Sequence, residues 1–271
     1  MVTVAHDPPP GRRLPAGRKA ELATYVAEVG EVTVAELAER FEVSSDTVRR
    51  DLDQLDADGL VIRTHGGAVS PSGAPRPDTE LDVRRRVQTG AKEVIGKLAA
   101  GLVQDGTAVL LNGGTTVLAV ARALHDHRDL TLATNNLLVP SEVSPGVVRD
   151  MLVFGGSVRT SRQATVGPVV FRSGVGGGDV DVQCDLALIA VGAASVAGGY
   201  SVSHVGEAAM MRQMMERADR VAILVDSSKF GGRLFARVAD LGRVDHVVTD
   251  ATPPAEELDA LAREGVELLL P

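Results

Sequence analysis

From residue 107 onward the chain returns again and again to a predominantly apolar run: AVLL, LTLA, MLVF, LALIAV, VAILV, HVVT and VELLL. Each run is followed by a glycine or polar turn, and helix-spaced apolar residues recur between them, most clearly at 117–124, 206–218 and 256–264. A strand with one wet face alternates apolar and polar residues, so unbroken runs mean strands buried on both faces. Their alternation with helices predicts an open α/β domain around a mostly parallel sheet.

The chain before residue 70 obeys a different period. Leu22, Val26 and Val29 fall at i, i+4 and i+7 and predict a helix ended by Gly30. Val34, Leu37, Ala38 and Phe41 mark a second, opened by a capping box between Thr33 and Glu36. A third starts at Ser44 as N-cap, buries Val48, Leu52 and Leu55, and stops at Gly59. After it, LVIR, a Gly-Gly turn and AV predict a small hairpin. Helix, turn, helix and hairpin together are the plan of a winged helix-turn-helix. The expected organisation is a disordered arm over 1–16, a winged helix-turn-helix over 17–69, a Pro/Gly/Ser-rich linker over 70–79, and an α/β domain over 80–271. A helix over roughly 80–103 is expected to lead into the last of these.

At about 100° per residue, Val48, Leu52 and Leu55 face the core and Arg50 projects nearly opposite, flanked by Asp46, Thr47 and Gln54. The N-terminal part of a recognition helix meets the bases, and here it holds Ser45, Thr47, Arg49 and Arg50. Arginine can make bidentate bonds to guanine, while hydroxyls reach phosphate or base edges. The chain carries a net charge of −8, and residues 1–69 hold 8 Lys and Arg against 12 Asp and Glu, a balance of −4. Attraction to DNA therefore needs a local patch, expected from Arg49, Arg50 and Arg63 with Arg18 and Lys19 as further members. A run such as TVRRDL is also what a solvated helix face looks like. The turn, wing and helix spacing favour DNA.

In the second half, LLNGGTTVLAVARAL joins a strand to a helix through Gly113, Gly114, Thr115 and Thr116. Glycines admit close approach, and N–H groups at a helix start with two hydroxyls can cradle an anion such as phosphate. Any strand-to-helix turn can carry glycine and threonine, so the loop alone decides nothing. Ligands of open α/β sheets lie beyond the carboxyl ends of the strands. That rule places Thr134, Asn135 and Asn136, and the DSSKFG segment with Asp226 and Lys229, in the same crevice. His204 and Glu207 are expected near its mouth. Lys229 supplies a point charge for an anion.

The run RKAELATYVAEVGEVTVAELAERFEVSSDTVRRDLDQLDADGLVIRTHGGA resembles the DNA-binding signature of DeoR-family transcriptional regulators, and FGGSVR, VGP and VTDA extend the resemblance nearly to the C-terminus. The resemblance implies that Ser44, Thr47, Arg49 and Arg50 occupy recognition positions and Arg63 and His65 the wing. It also implies a sensor domain similar in fold to ribose-5-phosphate isomerase. The expected protein is a cytoplasmic homo-oligomer that binds an operator in double-stranded DNA, represses carbohydrate genes and responds to a sugar phosphate. Three departures stand out: Asn112 where the family has Asp, Met211 where it has Lys, and a glycine-rich 172–185 where a helix usually continues. With Asn112 retained as a hydrogen-bonding contact and two charges lost, a monophosphate is expected rather than a bisphosphate.

The remaining signals narrow the class. One cysteine, Cys184, excludes an internal disulfide and a thiolate metal cluster. No apolar run approaches the ~20 residues that span a bilayer, and the opening segment has no apolar core of a signal peptide. His125 and His127 have a metal-compatible spacing but no further ligands nearby, so neither metal nor cofactor is expected. The methionines at 210, 211, 214 and 215 suggest packing, with a subunit contact as an option. The competing class is an isomerase or transferase of sugar phosphates on the same scaffold, although no catalytic motif accompanies it.

Overall fold

The computed structural model describes residues 15–73, 80–172, 179–180 and 182–271. Most of the expected arm, residues 74–79 of the linker, and residues 173–178 and 181 of the glycine-rich stretch lie outside them. The chain divides into two compact units, within 1–76 and 77–271.

The first unit runs α1 (Pro15–Val29), β1 (Glu31–Thr33), α2 (Val34–Arg40), α3 (Ser45–Ala57), β2 (Ile62–Arg63) and β3 (Gly67–Val69). Thr33 and Glu36 close the capping box on α2, and the Ser44 hydroxyl accepts from Thr47 N at 3.2 Å to start α3. The wing is larger than the expected hairpin, because β3 pairs antiparallel with β1 as well as with β2. Gly67 permits this: a Cβ there would lie 1.9 Å from the Val32 carbonyl oxygen. Leu22, Val26, Leu37, Val48, Leu52 and Leu55 share one core. Each contributes roughly 1.5–3 kcal/mol by burial. Val29 does not join them; it is 51% exposed at the end of α1.

The second unit opens with α4 (Leu81–Arg86) and α5 (Thr89–Ala100), where a single helix was expected. Between them Gln88 takes a left-handed φ of 53°. Buried Lys92 stabilises the break, its Nζ donating to the carbonyls of Arg84, at 2.6 Å, and Val87. The last carbonyls of a helix have no partner within it, and here a side chain from the next helix satisfies them.

Then follow β4 (Ala108–Leu111), α6 (Thr115–Ala123), β5 (Leu130–Thr134), β6 (Val148–Val153), β7 (Cys184–Ala190), α7 (Val205–Glu216), β8 (Ala218–Leu224), β9 (His246–Val248), α8 (Ala255–Arg263) and β10 (Glu267–Leu269). The seven strands form one parallel sheet in the order β10-β9-β8-β7-β4-β5-β6. Each contains or overlaps one of the seven apolar runs. Val109, Leu111 and Leu188 pack on one face with Ile95 and Leu118, while Leu110, Ala187 and Ile189 pack on the other with Met210 and Met214. This period-2 division accounts for the unbroken apolar runs. Met210, Met211 and Met214 are buried in that core, which removes the subunit-contact option for them. Three small antiparallel additions among the described residues were not expected: a hairpin of Ser157–Arg159 with Ala164–Val166, a pair of Phe171–Arg172 with Asp179–Val180, and a sheet of Ala193–Ser195, Gly199–Val202 and Ala236–Ala239.

The chain winds outward from β4 through β5 to β6, then returns to β7 and winds the other way. The strand order therefore reverses between β4 and β7, and a crevice beyond their carboxyl ends is where such sheets bind ligands.

Candidate functional site

In the first unit, burial of Val48, Leu52 and Leu55 turns the opposite side of α3 outward. Ser45, Arg49 and Arg50 are exposed there. The two arginines differ. Arg49 Nη1 is held by Asp46 at 2.9 Å, whereas Arg50 has no hydrogen-bond or ion-pair partner among the described residues. Ser44 and Thr47 are engaged with one another through the N-cap, their hydroxyls 2.9 Å apart. His65 is exposed at the wing turn.

The rest of the expected basic patch has other work. Arg18 Nε donates to Asp51 at 2.7 Å and Nη2 at 3.2 Å, and Lys19 bonds Gln54. Arg63 Nε donates to Asp53 at 2.9 Å and Nη1 to the Gly67 carbonyl at 3.0 Å, while its backbone N–H donates to Asp56. The aspartates that follow the arginine pair are thus anchors for α1 and the wing, and Arg18 and Arg63 belong to the scaffold. Sequence spacing could not reveal this, because the pairs span 33 and 10 residues.

In the second unit, several expected ligand residues prove to tie the carboxyl ends of the strands together. Asn112, fully buried at the end of β4, donates Nδ2–H to the Ala190 carbonyl and accepts Ala190 N–H at Oδ1, both at 2.8 Å. It pins β4 to β7 where the strand order reverses. Asn136 donates to the Gly114 carbonyl at 3.2 Å and accepts from Leu138 N; Thr134 accepts from Asn136 N at 3.0 Å. Asn135 donates to the Thr165 carbonyl at 2.7 Å, and its buried Oδ1 lacks a partner among the described residues. Gly113 is confined, since a Cβ would lie 3.0 Å from the Ala164 Cβ and 3.4 Å from the Asn135 amide nitrogen. Gly114, with φ of 150°, caps α6, and Thr115 and Thr116 are buried in its first turn.

The charged part of the crevice is richer than the sequence suggested. Asp226, 1% exposed, pairs with Lys229 at 2.8 Å and accepts from the Ser228 hydroxyl. Burial opposes its charged form, yet the charge and hydrogen bond of Lys229, the Ser228 bond and the charge of Lys92 hold its carboxyl below the ordinary value. Lys92, 6% exposed, is pushed down to about 8 by burial and by the charge of Lys229, with Asp226 opposing and Arg84 adding to the effect. Arg84 is pushed down to about 10 by burial and by Arg162, against the pull of Glu207 and Asp226. Glu207 pairs with Arg159 at 2.5 Å. Arg84, Lys92, Arg159, Arg162 and Lys229 therefore outnumber the carboxylates Asp226 and Glu207, and the cluster is suited to an anion. Sequence reasoning missed Arg84, Lys92 and Arg162, which lie outside the strand-end loops; Arg159 sits in the FGGSVR motif.

Met211 lies in the core, and the Asn112 amide is committed to Ala190. His204 is exposed at the start of α7. His125 and His127 bond the carbonyls of Arg122 and Val103, and no metal-compatible group of three or more His, Cys, Asp or Glu occurs among the described residues. No helix among them is long and apolar enough to cross a membrane.

Comparison with known proteins covers both units. Residues 18–74 match the DeoR-like helix-turn-helix domain and residues 87–251 the DeoR C terminal sensor domain. The HTH-type transcriptional repressor CsqR of Escherichia coli is 32% identical over 94% of this chain and 95% of its own. The glycerol-3-phosphate regulon repressor of the same organism is 31% identical, covering 90% and 94%. The repressor GlcR of Bacillus subtilis is 30% identical, covering 93% and 95%. Among solved structures, ribose 5-phosphate isomerase A of Methanocaldococcus jannaschii aligns over 53% of this chain and 55% of its own, at 14% identity and a TM-score of 0.36.

Proposed function

Because the chain belongs to the DeoR family of transcriptional regulators, we propose that it represses carbohydrate-metabolism genes and that a phosphorylated sugar or polyol, bound at the carboxyl edge of the sensor sheet, sets its affinity for operator DNA. α3 is the recognition helix, with Arg50 its principal base-reading side chain and Ser45, Thr47, Arg49 and His65 its neighbours at the DNA. The protein acts as a two-fold oligomer in the cytoplasm, since operator half-sites mirror protein symmetry.

The observation that carries the effector assignment is the excess of cations at the point where the strand order reverses. Names of relatives point the same way, one of them being the repressor of a glycerol-3-phosphate regulon. An isomerase or transferase would need a base that titrates near its working pH. Lys92, at about 8, comes nearest to that range, but its ammonium donates to the Arg84 and Val87 carbonyls, and the buried carboxylate Asp226 is held ionised by Lys229 and Lys92, which suits charge compensation. Sequencing the genomic DNA that the purified protein retains tests the reading: a single shared motif upstream of carbohydrate genes is expected, and retention without any sequence preference would contradict it.

A further inference from the structure

Four of the five cations in the crevice have distinct surroundings that sort them by role. Lys229 is neutralised by Asp226 at 2.8 Å and Arg159 by Glu207 at 2.5 Å. Lys92 spends its ammonium on the carbonyls of Arg84 and Val87. Arg84 alone of these four has no ion pair or side-chain hydrogen bond among the described residues, although it is partly buried beside Arg162, Glu207 and Asp226. A half-buried guanidinium without an acceptor is costly, and its planar fork matches two oxygens of a phosphate.

The local fold directs Arg84 to this place. Because Lys92 ends α4 and Gln88 turns the chain, α4 does not continue the axis of α5 but packs against α6, whose first turn carries the Gly-Gly-Thr-Thr loop. The adjacent Arg85 fixes α4 from another side: its Nη2 lies 3.3 Å from Glu142, which also binds Arg122 of α6 at 2.7 Å. Arg84 and Arg85 are thus neighbours with opposite assignments, one anchoring α4 and one left for an anion.

We propose that Arg84 directly binds the anionic group of the effector, so that the ligand is clasped between the sheet edge and α4, the first helix after the segment leading from the DNA-binding unit. This rests on the effector reading of the crevice and adds to it a specific liganding residue.

The test uses the full chain, with inorganic phosphate as probe against chloride at equal ionic strength, and compares wild type, Arg84→Met and Arg84→Lys by calorimetry. Loss of a charge-assisted pair of hydrogen bonds should weaken phosphate binding about tenfold to a hundredfold in Arg84→Met. Arg84→Lys, which keeps the charge but loses the fork, should fall between. Far-ultraviolet circular dichroism like wild type and a cooperative thermal unfolding transition of the sensor unit should be kept in both, which shows that the variants remain folded. Phosphate affinity unchanged in Arg84→Met, or in Arg84→Lys if the methionine variant does not fold, overturns the assignment of Arg84 while leaving the crevice as the effector site. No binding of phosphate or of any sugar phosphate to wild type overturns the effector reading itself, and this inference with it.

Discussion

Arg18 grips the Asp51 carboxylate with two hydrogen bonds, and so draws the aspartate of the Arg49-Arg50-Asp51 run into the core while the two arginines stay outside. Asp51 is only 5% exposed, which makes this a largely buried pair that locks α3 to α1. Breaking such a pair from one side strands a charge and costs about 3–5 kcal/mol. Arg18→Met should therefore lower the stability of the DNA-binding unit by that amount in urea denaturation. Combining it with Asp51→Leu should restore most of the loss. A single variant within about 0.5 kcal/mol of wild type would show that the pair is dispensable.

Arg50→Ala should behave in the opposite way. Its side chain is exposed and has no partner among the described residues, so the melting temperature should not move. Operator binding should weaken by about 1–3 kcal/mol, roughly five- to 150-fold. Fluorescence anisotropy with labelled operator at fixed salt reads this directly. Equal affinity would remove Arg50 from the interface.

Lys92 gives the crevice a pH dependence. Its folded value of about 8 lies below its ordinary 10.5, so between these values the unfolded chain binds more protons and stability rises with pH across that window. Lys92→Met should lack this rise. Anion affinity should run the other way, falling as pH increases from 7 to 9 and the ammonium loses its proton. Sulfate, whose charge is constant over that range, is the suitable probe. A flat sulfate profile would place Lys92 too far from the ligand to matter.

Asp226→Asn should leave Lys229 and Lys92 without their compensating charge. Because the folded carboxyl lies below its ordinary value, the ion pair stabilises the protein above the unfolded pKa and is lost as pH falls through the folded one. At pH 7 the variant should be less stable by about 3 kcal/mol, with the deficit shrinking only in acid. Sulfate should bind it more tightly than wild type. Weaker sulfate binding would mean that Asp226 orients Lys229 more than it neutralises it.

The central strands were legible because both of their faces are buried: Val109 and Leu111 look one way, Leu110 the other, and no polar residue interrupts that run, whereas Leu152 and Val153 of the edge strand β6 are 41% and 50% exposed. The caps at Thr33 and Ser44 were legible because each needs only residues three apart. The break at Gln88 was not, since neither glycine nor proline marks it and the residue that stabilises it, Lys92, acts from the following helix. Charges were the least legible. Arg18 and Arg63 looked like part of a DNA-binding patch until their aspartates came into contact, and Asn112 looked like a ligand until its amide met Ala190 across the sheet. Arg84 was hidden for the same reason, as only tertiary packing brings it to Asp226 and Glu207.

The central claim is that one anionic ligand and one operator communicate through this chain. Thermal-shift screening of sugar and polyol monophosphates and bisphosphates selects the compound that stabilises the protein most. Its affinity is then measured by calorimetry for the protein alone and for the protein saturated with operator. Linkage requires the ratio of the two to equal the factor by which the compound changes operator affinity, and typical couplings give about 5- to 150-fold. A ratio in that range, matched in both directions, is the predicted result; equal affinity with and without operator would contradict the account.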